Sequence, residues 1–146
     1  LGVYHKDLLT TFASVANKLS MEHALIVHGF DGLDEITITD STYIAELKNK
    51  EITHYEISPK DFGLSLANIS EISAQSADDS LLLVREAFAG EQSAVQDMIA
   101  LNAGAALYLA GIVSSIADGI ELSFTLMNNG MAADKLAAYV RISNNS

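Results

Sequence analysis

The densest group of side chains that could carry chemistry lies between His28 and Glu35. The stretch reads His-Gly-Phe-Asp-Gly-Leu-Asp-Glu and places three carboxylates within five positions, at Asp31, Asp34 and Glu35. Clustered carboxylates in a loop can hold Mg²⁺, a hard ion that takes oxygen ligands and usually shares them with substrate phosphates. The alternative is a solvated acidic turn without a ligand, because the whole chain is acidic, with a formal net charge of −11.

A single histidine stands at the start of this stretch. His28 could act as a general acid or base, because an imidazole titrates near neutral pH. The alternative is structural, with a histidine at a strand end that hydrogen-bonds the local backbone. His5, His23 and His54 have no spacing relative to one another that indicates a metal site, so we expect them at the surface or in a hairpin.

Two polar residues interrupt an apolar helical segment in the second half of the chain. Asn102 could face a ligand or hydrogen-bond a buried backbone group, and we favour the structural role. Tyr108 is expected in the core. Arg85 and Arg141 are the only arginines, and neither lies in a phosphate-binding pattern. The chain also contains no GxGxxG, P-loop or GxSxG motif, which leaves those nucleotide-binding loops and a hydrolase nucleophile elbow without support.

The elements that must position the acidic stretch begin with a helix and a strand. Apolar residues at helical spacing predict an amphipathic helix over residues 6–19. The apolar run 24–27 ends at His28 and Gly29, which is typical of a buried strand in a parallel sheet. Ligands of open α/β sheets bind beyond the carboxyl ends of such strands, which is where the acidic stretch begins.

The rest of the sheet is expected to be mixed. Alternating residues predict strands over 36–39, 42–47 and Glu51–Ile57, with Asn49 at the bend between the last two. This spacing is typical of a β-hairpin. The predicted fold class is therefore α/β, with a partial, mostly parallel sheet that carries an antiparallel β-hairpin, followed by a helical C-terminal half.

Residues from about 80 to near the C terminus favour helices. The predicted N-caps of three of them are Asp78 or Asp79, Ser93 and Ser114, and a fourth helix is predicted over 131–141. No repeat or low-complexity linker interrupts the chain. We therefore expect one unit over 1–146, with a helix, strands and the hairpin in about 1–63 and mainly helices in about 64–146.

Composition excludes several classes of function. The 146 residues contain eight Lys and Arg against nineteen Asp and Glu, so a broad nucleic-acid surface or binding to an anionic membrane is not expected. The absence of cysteine excludes disulfides and zinc–thiolate sites, and fits a cytoplasmic protein. The most apolar stretch, 99–113, is shorter than the roughly 20 residues that a membrane span needs.

Several segments together resemble the anthranilate phosphoribosyltransferases. The matching segments are Gly2-Val3-Tyr4, the stretch 24–36, Asp61-Phe62-Gly63-Leu64, Ala89-Gly90-Glu91 and the helical segment 97–108. The resemblance covers nearly the whole chain. Its most specific part is the His-Gly-x-Asp-Gly-Leu-Asp-Glu stretch, which nucleoside phosphorylases of the same fold do not share in this form.

The resemblance implies a transferase of tryptophan biosynthesis. Its members move the phosphoribosyl group from phosphoribosyl pyrophosphate to the amine of anthranilate, and Mg²⁺ neutralises the leaving pyrophosphate. It further implies that Asp34 and Glu35 help to hold Mg²⁺, and that the intact enzyme is a homodimer. Asp31 is expected only to support the loop. The resemblance assigns no catalytic or cofactor-binding residue to this chain.

The chain also departs from that family. The Gly-Thr-Gly-Gly-Asp loop that cradles pyrophosphate, the Lys-His-Gly-Asn segment, and the Asn and Arg that contact anthranilate are all absent. Since these segments lie upstream in the family, we expect the C-terminal part of such an enzyme, inactive alone and prone to self-association through an uncovered sheet edge. The alternatives are a stand-alone, non-catalytic metal-binding or regulatory module with the same fold, and a nucleoside phosphorylase relative, for which no phosphate-binding set is found.

Overall fold

A three-stranded antiparallel sheet forms the first half of the computed structural model, which describes residues 1–144. Its strands, in spatial order, are β1 (His23–Gly29), β2 (Thr42–Lys48) and β3 (Glu51–Ile57). The predicted hairpin is confirmed, because β2 and β3 are joined by the two residues Asn49 and Lys50, both with positive φ (53° and 69°). Two such residues form the tight turn whose twist matches that of paired strands.

Six α-helices surround and follow the sheet in the described part of the chain. They are α1 (Leu8–Lys18), α2 (Ile69–Ile72), α3 (Ala77–Phe88), α4 (Ala94–Leu109), α5 (Ile116–Asn128) and α6 (Met131–Ser143), and a 3-10 helix lies at Pro59–Phe62. The helical second half is thus confirmed. None of these helices, within residues 1–144, has the length and hydropathy needed to cross a bilayer.

Serine hydroxyls cap three consecutive helices. The prediction for Ser93 is confirmed, since its side chain accepts a hydrogen bond from the backbone N–H of Gln96. The predictions of the other two N-caps were wrong by one to three residues. Ser76 caps α3 in place of Asp78 or Asp79, and Ser115 caps α5 in place of Ser114. The aspartates fall in the first helical turn, where a negative charge interacts favourably with the helix dipole.

The expectation of a mostly parallel sheet is wrong. Both strand pairings are antiparallel, and the one parallel contact in residues 1–144 is an isolated bridge between Gly2 and Val27. The apolar run 24–27 is continuous because both faces of β1 are covered. Helix α1 packs on Ile26, whereas Leu25 and Val27 lie in the core with α4 and α5. Burial on two faces produces such a run whatever the direction of the neighbouring strand.

Residues 36–38 are buried and Thr39 is partly buried, but the four do not form the predicted strand. Ile36 and Ile38 both enter the main core, which reproduces the alternation of a strand. Their backbone bonds, however, go to scattered partners instead of a ladder: Thr37 N–H donates to Thr42 Oγ1 (3.1 Å), and Ile38 C=O accepts from Ala67 N–H (3.1 Å). The segment is therefore a loop fixed by side chains and single backbone contacts.

Helices α4 and α5 are in direct backbone contact. A Cβ placed on Gly104 would lie 2.6 Å from the backbone nitrogen of Ile120, closer than real Cβ atoms approach any atom. Glycine at this crossing therefore lets the two helices approach. On other parts of its surface, α4 buries Ala100, Leu101 and Ala105 in the main core. These contacts fix α4 against the sheet and the loop that follows β1.

Candidate functional site

The acidic loop, residues 30–35, follows directly from the carboxyl end of β1. It folds back on the strand: Gly29 N–H donates to Leu33 C=O (2.8 Å), and Gly32 N–H donates to Gly29 C=O (3.0 Å). A third bond joins Phe30 N–H to Ser41 C=O (2.9 Å), just before β2. The loop is therefore tied both to β1 and to the approach to β2.

Asp31 is the internal support of the acidic loop. Its Oδ1 accepts from Leu33 N–H (3.1 Å), and its Oδ2 accepts from Thr37 Oγ1 (2.5 Å) and from Thr39 Oγ1. Partial burial raises the pKa of Asp31, but these hydrogen bonds outweigh it and hold that pKa below its ordinary value. The supporting role expected for Asp31 is confirmed, and its carboxylate is occupied by the protein itself.

Asp34 and Glu35 differ from Asp31 in their lack of hydrogen-bond partners. Both side chains are exposed, and within residues 1–144 neither carboxylate accepts a hydrogen bond or forms an ion pair. The first segment of the chain packs tightly against them, since a Cβ on Gly2 would overlap the backbone carbonyl of Asp34. Two adjacent carboxylates thus stand free on a loop whose third carboxylate, Asp31, is hydrogen-bonded by the protein.

Asn102 joins helix α4 to the residue that follows the acidic loop. Its Oδ1 accepts from Ile36 N–H (3.0 Å), and its Nδ2 donates to Ile36 C=O (2.8 Å) and to Met98 C=O (3.0 Å). The amide therefore satisfies both backbone groups of one buried residue, as a neighbouring strand would. The structural role favoured for Asn102 is confirmed, and the backbone it binds directly follows Glu35.

The histidines do not form a cluster. His28 Nδ1 lies 2.8 Å from Val3 C=O, and because a carbonyl can only accept, Nδ1 must be the donor. This confirms the backbone-bonding alternative for His28. His5 lies at the surface beside Asp7, and His54 lies in β3 of the hairpin with Nε2 3.0 Å from Thr10 Oγ1.

The sequence reasoning missed a polar cluster around Glu46 on β2. Glu46 is 9% exposed; its Oε1 accepts from His23 Nε2 (2.7 Å) and Tyr108 OH (2.8 Å), and its Oε2 accepts from Tyr55 OH (2.9 Å). Tyr108, expected in the core, is half-buried and also accepts from Lys48 Nζ (2.9 Å). The available signal was a glutamate two residues after Ile44, on the same face of the strand as that apolar residue.

The cluster changes the ionisation of its members. Burial raises the pKa of Glu46, but hydrogen bonds from His23, Tyr108 and Tyr55 outweigh it and lower that pKa. Burial and the bond to Glu46 raise the pKa of Tyr55 well above its ordinary value. The cluster lies toward the start of β1, whereas the acidic loop follows its end. Its partners are all protein groups, so it joins the sheet to α4 and does not form part of the loop site.

No group of three or more histidine, aspartate or glutamate side chains in the described residues is close enough to hold a metal ion. The acidic loop can supply two carboxylates and no more. Such a pair is sufficient for Mg²⁺ in sites where water and substrate phosphates complete the octahedral shell. The donor chemistry therefore fits a shared magnesium site and does not fit a metal site built from protein ligands alone.

The chain is similar to known proteins over nearly its whole length. It is 43% identical over 141 residues to the anthranilate phosphoribosyltransferase of Vesicomyosocius okutanii and 44% identical over 140 residues to that of Polynucleobacter necessarius. These matches cover 97% and 96% of the chain but 42% and 41% of the relatives. The chain thus spans about two fifths of the length of these curated relatives.

Solved structures agree with this similarity. The anthranilate phosphoribosyltransferase of Thermus thermophilus superimposes with a TM-score of 0.87 at 28% identity, over 97% of this chain and 41% of that one. The Saccharomyces cerevisiae enzyme in complex with PRPP and Mg has the same TM-score at 22% identity, which supports the fold alone. The resemblance inferred from the motifs is confirmed. Because the sequence model described as "Glycosyl transferase family, a/b domain" matches residues 1–133, the chain belongs to that family.

Proposed function

We propose that this chain supplies one wall of the active site of a Mg²⁺-dependent anthranilate phosphoribosyltransferase. The reaction would transfer the phosphoribosyl group of phosphoribosyl pyrophosphate to the amine of anthranilate, in tryptophan biosynthesis. The observation that carries the proposal is the pair of exposed carboxylates, Asp34 and Glu35, which have no partner in residues 1–144, on a loop whose third carboxylate is already hydrogen-bonded. The names of the relatives support it, since both of those cited above are anthranilate phosphoribosyltransferases.

Asp34 and Glu35 would be the protein ligands of the magnesium ion. In a strand, adjacent side chains point to opposite faces, but these two lie in a loop, where both can turn toward one ion. Bound Mg²⁺ would neutralise charge on the leaving pyrophosphate. The yeast anthranilate phosphoribosyltransferase, which shares this fold, has been solved in complex with PRPP and Mg and with 4-fluoroanthranilate.

The chain's own residues would bind the ion and shape the site without transferring protons. The Nδ1 proton of His28 is held by Val3 C=O, and Asp31 accepts three hydrogen bonds from residues 33–39. We therefore assign no catalytic residue to this chain. The chain has only eight Lys and Arg and lacks the anion-binding loop of the family. It should therefore bind pyrophosphate poorly and be inactive alone. The intact enzyme is proposed to be a homodimer.

The test follows the loss of anthranilate fluorescence in the presence of phosphoribosyl pyrophosphate and Mg²⁺. The chain would be assayed alone and then mixed with the separately produced remainder of its parent enzyme, which together we call the reconstituted enzyme. Activity is expected only in the mixture. Turnover by the chain alone would contradict the proposal that it is one wall of a larger site.

Two variants test whether the acidic loop binds the ion. Asp34→Asn and Glu35→Gln should abolish the activity of the reconstituted enzyme, whereas Glu22→Gln should not, because Glu22 is an exposed carboxylate outside the loop. Divalent-ion binding without transfer in the mixture would instead favour a stand-alone metal-binding or regulatory module. Full activity of both loop variants would contradict the ligand assignment.

A further inference from the structure

We infer that Asn102 is a positioning residue, which sets the backbone of the Asp34–Glu35 pair from helix α4 and thereby sets its affinity for the ion. The inference rests on the proposed function in naming Mg²⁺ as the ligand. Asn102 does not touch the ion in this account. It acts through Ile36, the residue that directly follows the carboxylate pair.

The pair forms a two-residue bridge between fixed points. On one side, Leu33 is held through both backbone groups: its N–H donates to Asp31 Oδ1 (3.1 Å) and its C=O accepts from Gly29 N–H (2.8 Å). On the other side, Ile36 is held through both of its backbone groups by the Asn102 amide. Only Asp34 and Glu35 lie between these points, so little backbone freedom remains to them.

The Asn102 anchor is itself immobilised by its helix. Its neighbour Leu101 is fully buried, and the third hydrogen bond of the amide, to Met98 C=O, ties the side chain to α4. Ile36 is 3% exposed, so no bulk water can replace the amide at its N–H and C=O. Removing the amide would therefore free one end of the bridge and leave two buried backbone groups without partners.

A binding site gains from such an anchor because ordering its ligands in advance lowers the entropy lost on binding. Partners that orient metal ligands without touching the metal typically change affinity or activity about 10–100-fold when removed. We therefore expect Asn102→Leu to raise the Mg²⁺ concentration for half-maximal activity of the reconstituted enzyme by about 10-fold or more. The reaction rate at saturating Mg²⁺ should fall much less.

Gln96 offers a matched control on the same helix. It is also a buried amide, 1% exposed, but its Nε2 donates to Ala87 C=O (3.3 Å) on α3 and to Asn128 Oδ1 (3.1 Å) on α5. Gln96→Leu removes comparable buried bonds without touching the loop. It should change the half-maximal Mg²⁺ concentration less than twofold. Equal shifts for Gln96→Leu and Asn102→Leu would overturn the inference, since both would then reflect general destabilisation.

A second readout, backbone amide hydrogen exchange, does not depend on activity. The Ile36 amide should lose its protection in Asn102→Leu. Asn102→Asp should also reduce it, because its second oxygen would replace the Nδ2 donor and face the carbonyls of Ile36 and Met98, whereas Gln96→Leu should leave it unchanged. Unchanged protection of Ile36 in Asn102→Leu would overturn the inference, and unchanged protection in Asn102→Asp would do the same if Asn102→Leu does not fold.

The two readouts separate this inference from the proposed function. If the unaltered reconstituted enzyme performs no Mg²⁺-dependent transfer, the proposed function is refuted. Hydrogen exchange of the Ile36 amide still decides whether Asn102 fixes the backbone that follows the acidic loop. If transfer occurs and Asn102→Leu leaves the Mg²⁺ dependence unchanged, the inference fails while the function stands.

Discussion

Replacing Glu46 by glutamine should destabilise the fold through the polar cluster that joins the sheet to α4. The carboxylate accepts three hydrogen bonds, from His23, Tyr55 and Tyr108, at 2.7 to 2.9 Å. A hydrogen bond to a charged group contributes about 1.5–3 kcal/mol, and a neutral one about 0.5–1.5 kcal/mol. Glutamine keeps one acceptor oxygen, so two of these bonds become neutral at a cost of roughly 1 kcal/mol each. The third bond, worth about 2 kcal/mol, is lost because an amide nitrogen cannot accept, so Glu46→Gln should lower the free energy of unfolding by about 4 kcal/mol.

Urea unfolding followed by circular dichroism measures this change. Glu56→Gln is the matched control, because Glu56 is exposed on β3 and its loss should alter stability by less than about 0.5 kcal/mol. The pKa of Glu46 is lowered in the folded state, so its contribution is complete above the ordinary glutamate pKa and declines as pH falls toward the folded value. The stability gap between the unaltered chain and Glu46→Gln should therefore narrow below about pH 4. Equal stability of the two glutamine variants at neutral pH, or a gap that widens in acid, would refute the reasoning.

Three further predictions concern packing, the loop and association. Gly104→Ala should lower the free energy of unfolding by about 1–3 kcal/mol in the same urea assay, since α5 must move away from the new Cβ; unchanged stability would contradict the close contact of the helices. Asp31→Asn should raise the Mg²⁺ concentration for half-maximal activity of the reconstituted enzyme about 10-fold, because the loop loses acceptors for Thr37 and Thr39. An unchanged concentration would show that the loop keeps its conformation without them. The isolated chain should self-associate in light scattering at high concentration, since Leu19 and Met21 are exposed in an apolar groove beside β1; a monomer would count against this.

Local signals predicted the parts of the fold that short segments determine. Asn49 marked the hairpin because few residues accept the left-handed backbone of a two-residue turn. Ser93 marked the start of α4 because its hydroxyl satisfies a free backbone N–H. The spacing of Asp34 and Glu35 singled out a loop that the structure leaves exposed and unpaired within residues 1–144.

Features set by distant residues could not be predicted. The direction of the strand beside β1 leaves no trace in an apolar run that is buried on both faces. The bond between Asn102 and Ile36 spans 66 positions, and that between Glu46 and Tyr108 spans 62. Periodicity reports which side of an element is covered, but it does not report which distant side chain completes a hydrogen bond.

Helix α4 is a single rigid rod of 16 residues, about 24 Å long at 1.5 Å per residue. Asn102 on this helix is hydrogen-bonded to Ile36, directly after the acidic loop. Tyr108, about 9 Å further along the helix axis, is hydrogen-bonded to Glu46 near the other end of β1. A movement of α4 would therefore break both hydrogen bonds together, so the two ends of β1 should open as one cooperative unit. An ion bound by the loop should consequently slow the local opening of the sheet around Glu46, at the start of β1.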